Sequence, residues 1–241
     1  MKNSITKIIT FLLITSMFSS CGVDMFNRIN GNKNVISQNR KTSENFTGIK
    51  VSTGIDLYIT QGPKNQITVE ADENLHDIII TEVEDGVLKV YSEKNIWRAK
   101  AKKVHVTIKN LDLLKATSGS DVYSKTIINT NQISITATSG ADINISVNAT
   151  SVETNSTSGS DIEISGTTTH HTSNATSGAS IDAYKLKSKN TITKATSGAD
   201  INIFASEKLD AKATSGGDID YKGNPKQINK KSTSGGSISA K

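Results

Sequence analysis

Five aspartates recur at one position of a sequence repeat and form a regular set of potential metal ligands. They are Asp121, Asp142, Asp161, Asp200 and Asp218. Carboxylate oxygens at regular spacing suit a hard cation such as calcium, so one interpretation is a calcium-binding ladder. In the other, each aspartate accepts hydrogen bonds from backbone N–H groups at an adjacent turn. The turn interpretation is favoured, because Ser180 and Ser237 interrupt the column without disturbing the period.

The aspartates follow a Thr-Ser-Gly tripeptide that occurs seven times. Its glycines are Gly119, Gly140, Gly159, Gly178, Gly198, Gly216 and Gly235. Successive glycines are 18 to 21 residues apart, which is the length of one coil of a solenoid. We therefore predict an all-β fold, a right-handed parallel β-helix (β-solenoid) with about 19 residues per coil.

Counting by twos along each repeat predicts which positions face the core. The residue before each Thr, the Ser of the tripeptide, the small residue after the Gly and the following Ile or Val are expected inside. The Thr, Gly and Asp columns are expected outside. A second inward column holds apolar residues in most coils but His171 in one, and Thr191, with Ile192 slipped by one, in the next. His171 therefore either plugs an interior slot or marks a coil that loops out, and it is a candidate binding residue because the repeat fails there.

The N-terminus is typical of an exported protein. Residues 1–20 combine a basic start with an apolar run too short to cross a bilayer, which predicts a signal peptide. Small residues precede Cys21, the only cysteine, as in a bacterial lipoprotein signal, so Cys21 is the candidate lipidation site. The alternative is an ordinary secretory signal with an incidental cysteine. Lipidation predicts anchoring to the cell envelope, with the outer membrane favoured, through the lipid alone.

Composition divides the rest of the chain into three parts. Residues 21–45 are rich in Asn, Lys, Arg, Gly and Ser and predict a flexible tether. Residues 46–115 alternate apolar and polar residues in short strands, which predicts degenerate coils or a cap. Residues 116–241 carry the tripeptide repeat. We expect 46–241 to form a single β-helix domain.

Composition also excludes several functions. Without residues 1–20 the chain has 26 basic and 23 acidic residues, and only three arginines, so nucleic-acid binding is not expected. A β-helix lyase needs a basic residue near an acidic sugar and a glycosidase needs two carboxylates at a set separation. Arg98 is the only arginine in 46–241 and the acidic residues follow the repeat, so no catalytic residues and no cofactor are expected. A carbohydrate-active enzyme and a calcium-stabilised rod remain the alternatives.

Three further groups of residues bear on binding. Trp97 and Arg98 lie in a basic segment before a strand; Trp97 is expected to cap the open end of the core, and a surface contact with ligand is the alternative. Adjacent His170 and His171 should point to opposite faces of a strand, which argues against a metal pair. A single row of Thr, flanked mostly by Lys and Asn two residues earlier, argues against ice binding.

The chain resembles the putative auto-transporter adhesin head GIN domain family. The resemblance rests on residues 46–62 (FTGIKVSTGIDLYITQG), residues 67–75 (ITVEADENL), the Asp85-Gly86 turn and the Ser-Gly-Ala-Asp coils. It extends over 46–241 and departs at Asp56, where the family's name implies Asn. The resemblance implies a right-handed parallel β-helix on an exported, Bacteroidetes-type protein with an adhesive role, and it supplies no catalytic residues. The broad, repetitive outer faces of such a rod favour multivalent contact with glycans or other surface polymers.

Overall fold

The computed structural model describes residues 28–42 and 45–241. The signal segment 1–20 and Cys21 lie outside the described residues. Within the described ranges the chain forms twenty strands and a short 3-10 helix, Glu73–Leu75. None of the helices found there is long and apolar enough to cross a membrane.

The strands fall into an N-terminal group and a repeat group. The first group is β1 (Arg28–Asn30), β2 (Val35–Arg40), β3 (Gly48–Val51), β4 (Asp56–Gln61), β5 (Gln66–Asp72), β6 (Ile79–Glu84), β7 (Val87–Ser92), β8 (Asn95–Arg98) and β9 (Lys102–Ile108). The second is β10 (Leu113–Thr117), β11 (Asp121–Ser124), β12 (Ile128–Thr138), β13 (Asp142–Thr157), β14 (Asp161–Thr176), β15 (Ser180–Thr196), β16 (Asp200–Phe204), β17 (Lys208–Thr214), β18 (Asp218–Lys222), β19 (Gln227–Thr233) and β20 (Ser237–Ala240).

The repeat group stacks as a parallel β-solenoid of about seven turns with a spacing of ~19 residues, which confirms the predicted fold class. Equivalent positions of successive coils pair directly, so that Thr138 pairs with Thr157 and Thr157 with Thr176. Since adjacent strands are about 4.8 Å apart, seven coils span roughly 34 Å. Ile, Val, Leu and Ala columns fill the interior, with Ile143, Ile162 and Ile181 stacked one above another.

The Ser-Gly corner differs from the prediction. The sequence placed Ser118 and its equivalents in the core, but these serines are exposed. Ser118 and Gly119 both adopt left-handed conformations, with φ of 56° and 68°. Period-two counting assumes an extended chain, and the two turn residues instead project from the corner. The corner stays in the ladder, because each glycine N–H donates to the serine carbonyl of the next coil, as from Gly159 to Ser177 at 3.2 Å.

The N-terminal strands form a cap whose order along the axis differs from their order in the chain. β7 pairs with β3 and β9 pairs with β4, both in parallel, so the β7 and β9 coil lies beyond the β3 and β4 coil. β5 pairs antiparallel with β9, and β6 antiparallel with β7. These antiparallel pairs end the parallel stack and cover the core at this end.

Part of the predicted tether is ordered, which corrects the expectation for 21–45. β2 pairs antiparallel with β5, and β1 pairs in parallel with β8. The buried carboxylate of Asp72 holds this region by accepting hydrogen bonds from the backbone N–H groups of Lys33 at 2.9 Å, Ala101 at 3.0 Å and Lys100 at 3.1 Å. The polar composition of 28–40 hid two strands whose partners lie far away in sequence.

The opposite end of the solenoid is open within the described residues. Every residue of β19 is exposed. Lys230 takes the inward position that Ala211 fills one coil earlier, and its ammonium group lies 5.4 Å from the centre of the Tyr221 ring. A charged side chain at a core position protects this edge against further strand pairing.

Candidate functional site

The predicted aspartate column forms one straight row on the outer surface. Asp121 pairs with Asp142 and Asp142 with Asp161, and Asp200 pairs with Asp218. The β4 and β11 register also places Asp56 beside Asp121. The row was predicted from the repeat, but Asp56 was missed because it precedes the first tripeptide.

The hydrogen bonds that the sequence favoured for these aspartates are not formed. In the described part of the chain none of the five predicted carboxylates accepts a backbone hydrogen bond, and all of them except the half-buried Asp121 are exposed. Burial raises the pKa of Asp121, and the neighbouring carboxylates of Asp56 and Asp142 raise it further. Burial and the Asp142 carboxylate likewise raise the pKa of Asp161. Among the described residues no group of three or more His, Cys, Asp or Glu side chains is arranged to hold a metal.

An aromatic stack runs beside the aspartate row. The Tyr58 ring lies 5.1 Å from His105 and 5.5 Å from Tyr123, nearly parallel to both. Lys125 places its ammonium group 4.3 Å from the centre of the Tyr58 ring. The stack forms because β9 pairs with β4 and brings His105 against Tyr58, a contact that the sequence alone could not predict. His105 and Tyr123 cover the two faces of the Tyr58 ring, so Tyr58 presents mainly its edge to solvent.

A third row lies on the other side of the Ser-Gly corner, two residues before the Thr of each tripeptide, and β3 extends it by one coil. Its lysines are Lys50, Lys115, Lys194, Lys212 and Lys231, which we call the lysine row. Lys50 pairs with Lys115, and Lys194 pairs with Lys212, which pairs with Lys231. Sequence analysis noted most of this column only as evidence against ice binding. Its grouping of like charges could have been found by reading the column for charge.

A shallow trough separates the two ends of the lysine row. Thr136, Asn155 and Asn174 occupy the row there. The trough is lined by Asn155, Ser156, Thr157, Asn174, Ala175, Thr176, Lys194 and Thr196. The Asn174 amide donates to the Asn155 side-chain oxygen at 3.0 Å, which fixes both amides along the solenoid axis. The surface thus offers hydroxyl and amide groups between two groups of ammonium ions.

The predicted Trp97 cap is wrong. The Trp97 side chain is 54% exposed, and the guanidinium of Arg28 lies 4.2 Å from the centre of its ring. Arg98 is also exposed, in the two-stranded sheet of β1 and β8, away from the aspartate row. Both residues therefore belong to the surface of the cap, and the alternative of a surface contact stays open.

His171 lies in the core, which supports the interpretation of an interior plug and leaves it out of reach of a surface ligand. It pairs in register with Val152 and Thr191, whereas His170 is exposed on the opposite face. Ile192 does not slip inward; its side chain is 58% exposed. In the described part of the chain His171 Nδ1, Ser173 Oγ and Thr193 Oγ1 are buried without hydrogen-bond partners, so this stretch of the core is unusually polar.

Comparison with known proteins places the chain in a family. The family described as "Putative auto-transporter adhesin, head GIN domain" matches residues 45–225. A putative adhesin of Bacteroides fragilis is similar in structure, with a TM-score of 0.80 and 22% identity, over 88% of this chain and all of that one. None of the curated proteins matches the chain.

Two Parabacteroides structures share the fold. A putative lipid binding protein of Parabacteroides distasonis has a TM-score of 0.73 and 23% identity, over 89% of this chain and 99% of that one. A putative adhesin of Parabacteroides merdae has a TM-score of 0.69 and 18% identity, over the same shares of the two chains. Identities this low show the fold alone. Because the family's sequence pattern covers most of the chain, this protein belongs to the putative auto-transporter adhesin head GIN domain family.

Proposed function

We propose that this protein is a non-catalytic adhesin of the cell envelope that binds glycans or other surface polymers through repeated contacts along its rod. It is exported and held by a lipid on Cys21, most simply at the outer membrane. The family supports an adhesive role. The rod needs no cofactor for this function.

The outward rows are the observation that carries the proposal. Like side chains repeat one coil apart on a parallel ladder, as in the pairing of Thr196 with Thr214 and Thr214 with Thr233. A polymer with its own repeat can contact several such positions at once, and linked contacts raise the total affinity well above that of one contact. The ladder holds the rows rigidly, so little conformational entropy is lost on binding.

The arrangement of charged groups favours binding over catalysis. Arg98, the basic residue considered for a lyase, lies in the sheet of β1 and β8. His171 is enclosed in the core. The aspartates of the repeat form a surface row rather than an acid and base facing each other across a cleft, as glycoside hydrolysis requires.

A glycan array probed with the full mature chain, together with whole-cell adhesion of the wild type and a deletion strain, tests the adhesin proposal. We expect the chain to bind a subset of polymers and the deletion strain to adhere less. No binding on the array and equal adhesion of the two strains would refute it. Release of reducing ends from a bound polymer would instead assign an enzyme.

Two further measurements test the lipid anchor and the calcium-stabilised alternative. Cys21→Ser should move the protein from the membrane to the soluble fraction, and retention of that variant in the membrane would refute lipid anchoring. The calcium-stabilised rod is the alternative structural role. We expect a chelator to leave the melting curve unchanged, whereas a clear fall in Tm would favour the calcium rod.

A further inference from the structure

We propose that the lysine row binds an anionic polysaccharide, one that carries carboxylate or sulfate groups, laid along the axis of the solenoid. This inference rests on the proposed adhesive function and names the class of polymer. The occupied surface consists of the lysine row and the trough between its two ends.

In the described part of the chain the ammonium groups of this row lack carboxylate partners that would balance their charge. Among the described residues none of the five lysines forms an ion pair, although Lys89, the next residue beyond Lys50 in the same column, pairs with Glu84. Like charges directly opposite each other on neighbouring strands are destabilising. An anionic ligand would relieve this repulsion in both groups of lysines.

The acidic side chains of the same face bond to amides and leave the lysines unpaired in the described coils. Glu153 accepts a hydrogen bond from the Asn155 amide at 2.9 Å, and Asp210 accepts one from Asn229 at 3.3 Å. Both carboxylates therefore interact with neutral amides instead of the lysines. The aspartate row lies across the Ser-Gly corner, so the lysine row and the aspartate row occupy different sides of the rod.

Neutral polar groups line the surface between the two charged ends of the row. The trough offers the hydroxyls of Thr157, Thr176 and Thr196 and the amides of Asn155 and Asn174. These groups hydrogen-bond to sugar hydroxyls, whereas the lysines recognise acidic substituents. At one coil per step, the distance from Lys50 to Lys231 is about 34 Å, so only an extended polymer can contact both ends of the row.

Binding of polygalacturonate, dextran sulfate and neutral dextran to the full mature chain tests this inference. The two anionic probes separate carboxylate from sulfate recognition. We expect one or both to bind, with an affinity that falls steeply as salt rises, because exposed charges are screened. Neutral dextran should bind at least about tenfold more weakly.

Lysine variants test whether the lysine row is the surface that binds the anionic polymers. Lys194→Gln, Lys212→Gln and Lys231→Gln together should weaken anionic binding by about tenfold or more, and adding Lys50→Gln and Lys115→Gln should weaken it further. A matched control replaces the exposed Lys64, Lys94 and Lys226 with Gln, which makes the same change in net charge away from the row. We expect this control to bind like the wild type. Melting curves for all variants verify that the fold is kept.

The outcomes separate this inference from the adhesin proposal. Binding only to neutral polymers, or anionic binding that both triple variants weaken equally, would overturn the lysine row and leave the adhesin proposal intact. No binding to any polymer would count against both. Tighter binding to double-stranded DNA at equal charge concentration would assign a different polyanion. Self-association abolished by the row variants, without polymer binding, would assign a second copy of the chain as the partner.

Discussion

His171 and Thr154 face each other inside the solenoid, with Nε2 of the imidazole 3.0 Å from Oγ1 of the threonine. The other ring nitrogen of His171 has no partner among the described residues. Burial lowers the pKa of His171 from 6.5 to about 4, because an imidazolium would lose its hydration in the core. The ring is therefore neutral at pH 7.

This burial predicts an acid-sensitive stability. Between pH 6.5 and 4 the unfolded chain binds a proton at His171 that the folded chain does not. The contribution of neutral His171 to the unfolding free energy is therefore complete above pH 6.5 and decreases toward pH 4. From pH 7.5 to 4.5 the wild type should lose roughly 2.5 kcal/mol of unfolding free energy that His171→Val keeps. Urea denaturation at both pH values measures the difference. The exposed His170→Val is the control, and parallel pH profiles for all three proteins would contradict the prediction.

The aspartate row predicts a variant that stabilises the protein. Asp142 lies between Asp121 and Asp161, and its charge raises the pKa of both. When the pKa of a carboxyl group is higher in the folded chain than in the unfolded chain, the unfolding free energy falls as the pH rises above the unfolded pKa. The aspartate row therefore lowers the unfolding free energy at neutral pH. Asp142→Asn should raise the unfolding free energy at pH 7 by about 0.5 kcal/mol.

The gain from Asp142→Asn should shrink below pH 4 and in high salt. Asp200→Asn serves as the comparison, since only one of its two register neighbours, Asp218, is acidic. We expect a smaller gain there. Thermal melting in low-salt buffer measures both effects, and a loss of stability in Asp142→Asn would show that the carboxylate has a favourable partner.

Two glycines predict different costs for the same substitution. A Cβ on Gly166 would lie 1.8 Å from the Val147 carbonyl oxygen, whereas a Cβ on Gly159 has no atom within 4 Å. Gly166→Ala should therefore destabilise the fold by about 3 kcal/mol or more through backbone displacement. Gly159→Ala should cost only about 1 kcal/mol, from its left-handed conformation. Equal losses in chemical denaturation would contradict this account.

The hydrogen bonds of Asp72 predict that this carboxylate stabilises the cap. Burial raises the pKa of Asp72, but hydrogen bonds from the N–H groups of Lys100, Lys33 and Ala101 outweigh it and lower the pKa below 3.8. Its stabilising effect is present above pH 3.8 and is lost as the pH falls through the lowered value. Asp72→Asn should cost about 2 kcal/mol, because the amide turns an N–H donor toward backbone donors.

Trp97 reports on this part of the cap, since it lies on β8 beside β1. In Asp72→Asn its fluorescence should change at lower urea than the circular dichroism of the solenoid. Asp77→Asn, at an exposed position, should leave both transitions where they are in the wild type. One shared transition in Asp72→Asn would show that the cap and the solenoid unfold together.

The repeat coils were predictable because each coil restates the same local pattern. The Ile143 and Ile162 column, the outward Thr row and the inward His171 all follow from alternation, which the β-conformation enforces. Ser118 was misplaced because consecutive left-handed residues interrupt that alternation. A tripeptide that recurs in every coil can form a corner as well as part of a strand.

The strand order of the cap and the side-chain clusters could not be predicted, because they depend on pairing between strands far apart in sequence. Nothing near Tyr58 indicates that His105 will stack on it, since their contact follows from the parallel pairing of β4 and β9. Asp72 likewise finds its donors near Lys33 and Ala101. Such contacts form only when distant strands pair, so no local pattern in the sequence indicates them.

If the proposed lipid on Cys21 anchors the protein, the ordered strand β1 sets how far the rod can stand from the membrane. Arg28 follows Cys21 by seven positions, so a chain anchored at Cys21 reaches at most about 25 Å before the cap begins. The cap end would then face the bilayer and the Lys230 end would point away from it. The rod would carry its rows outward on a short stalk, so its reach toward another cell would depend on the length of the solenoid.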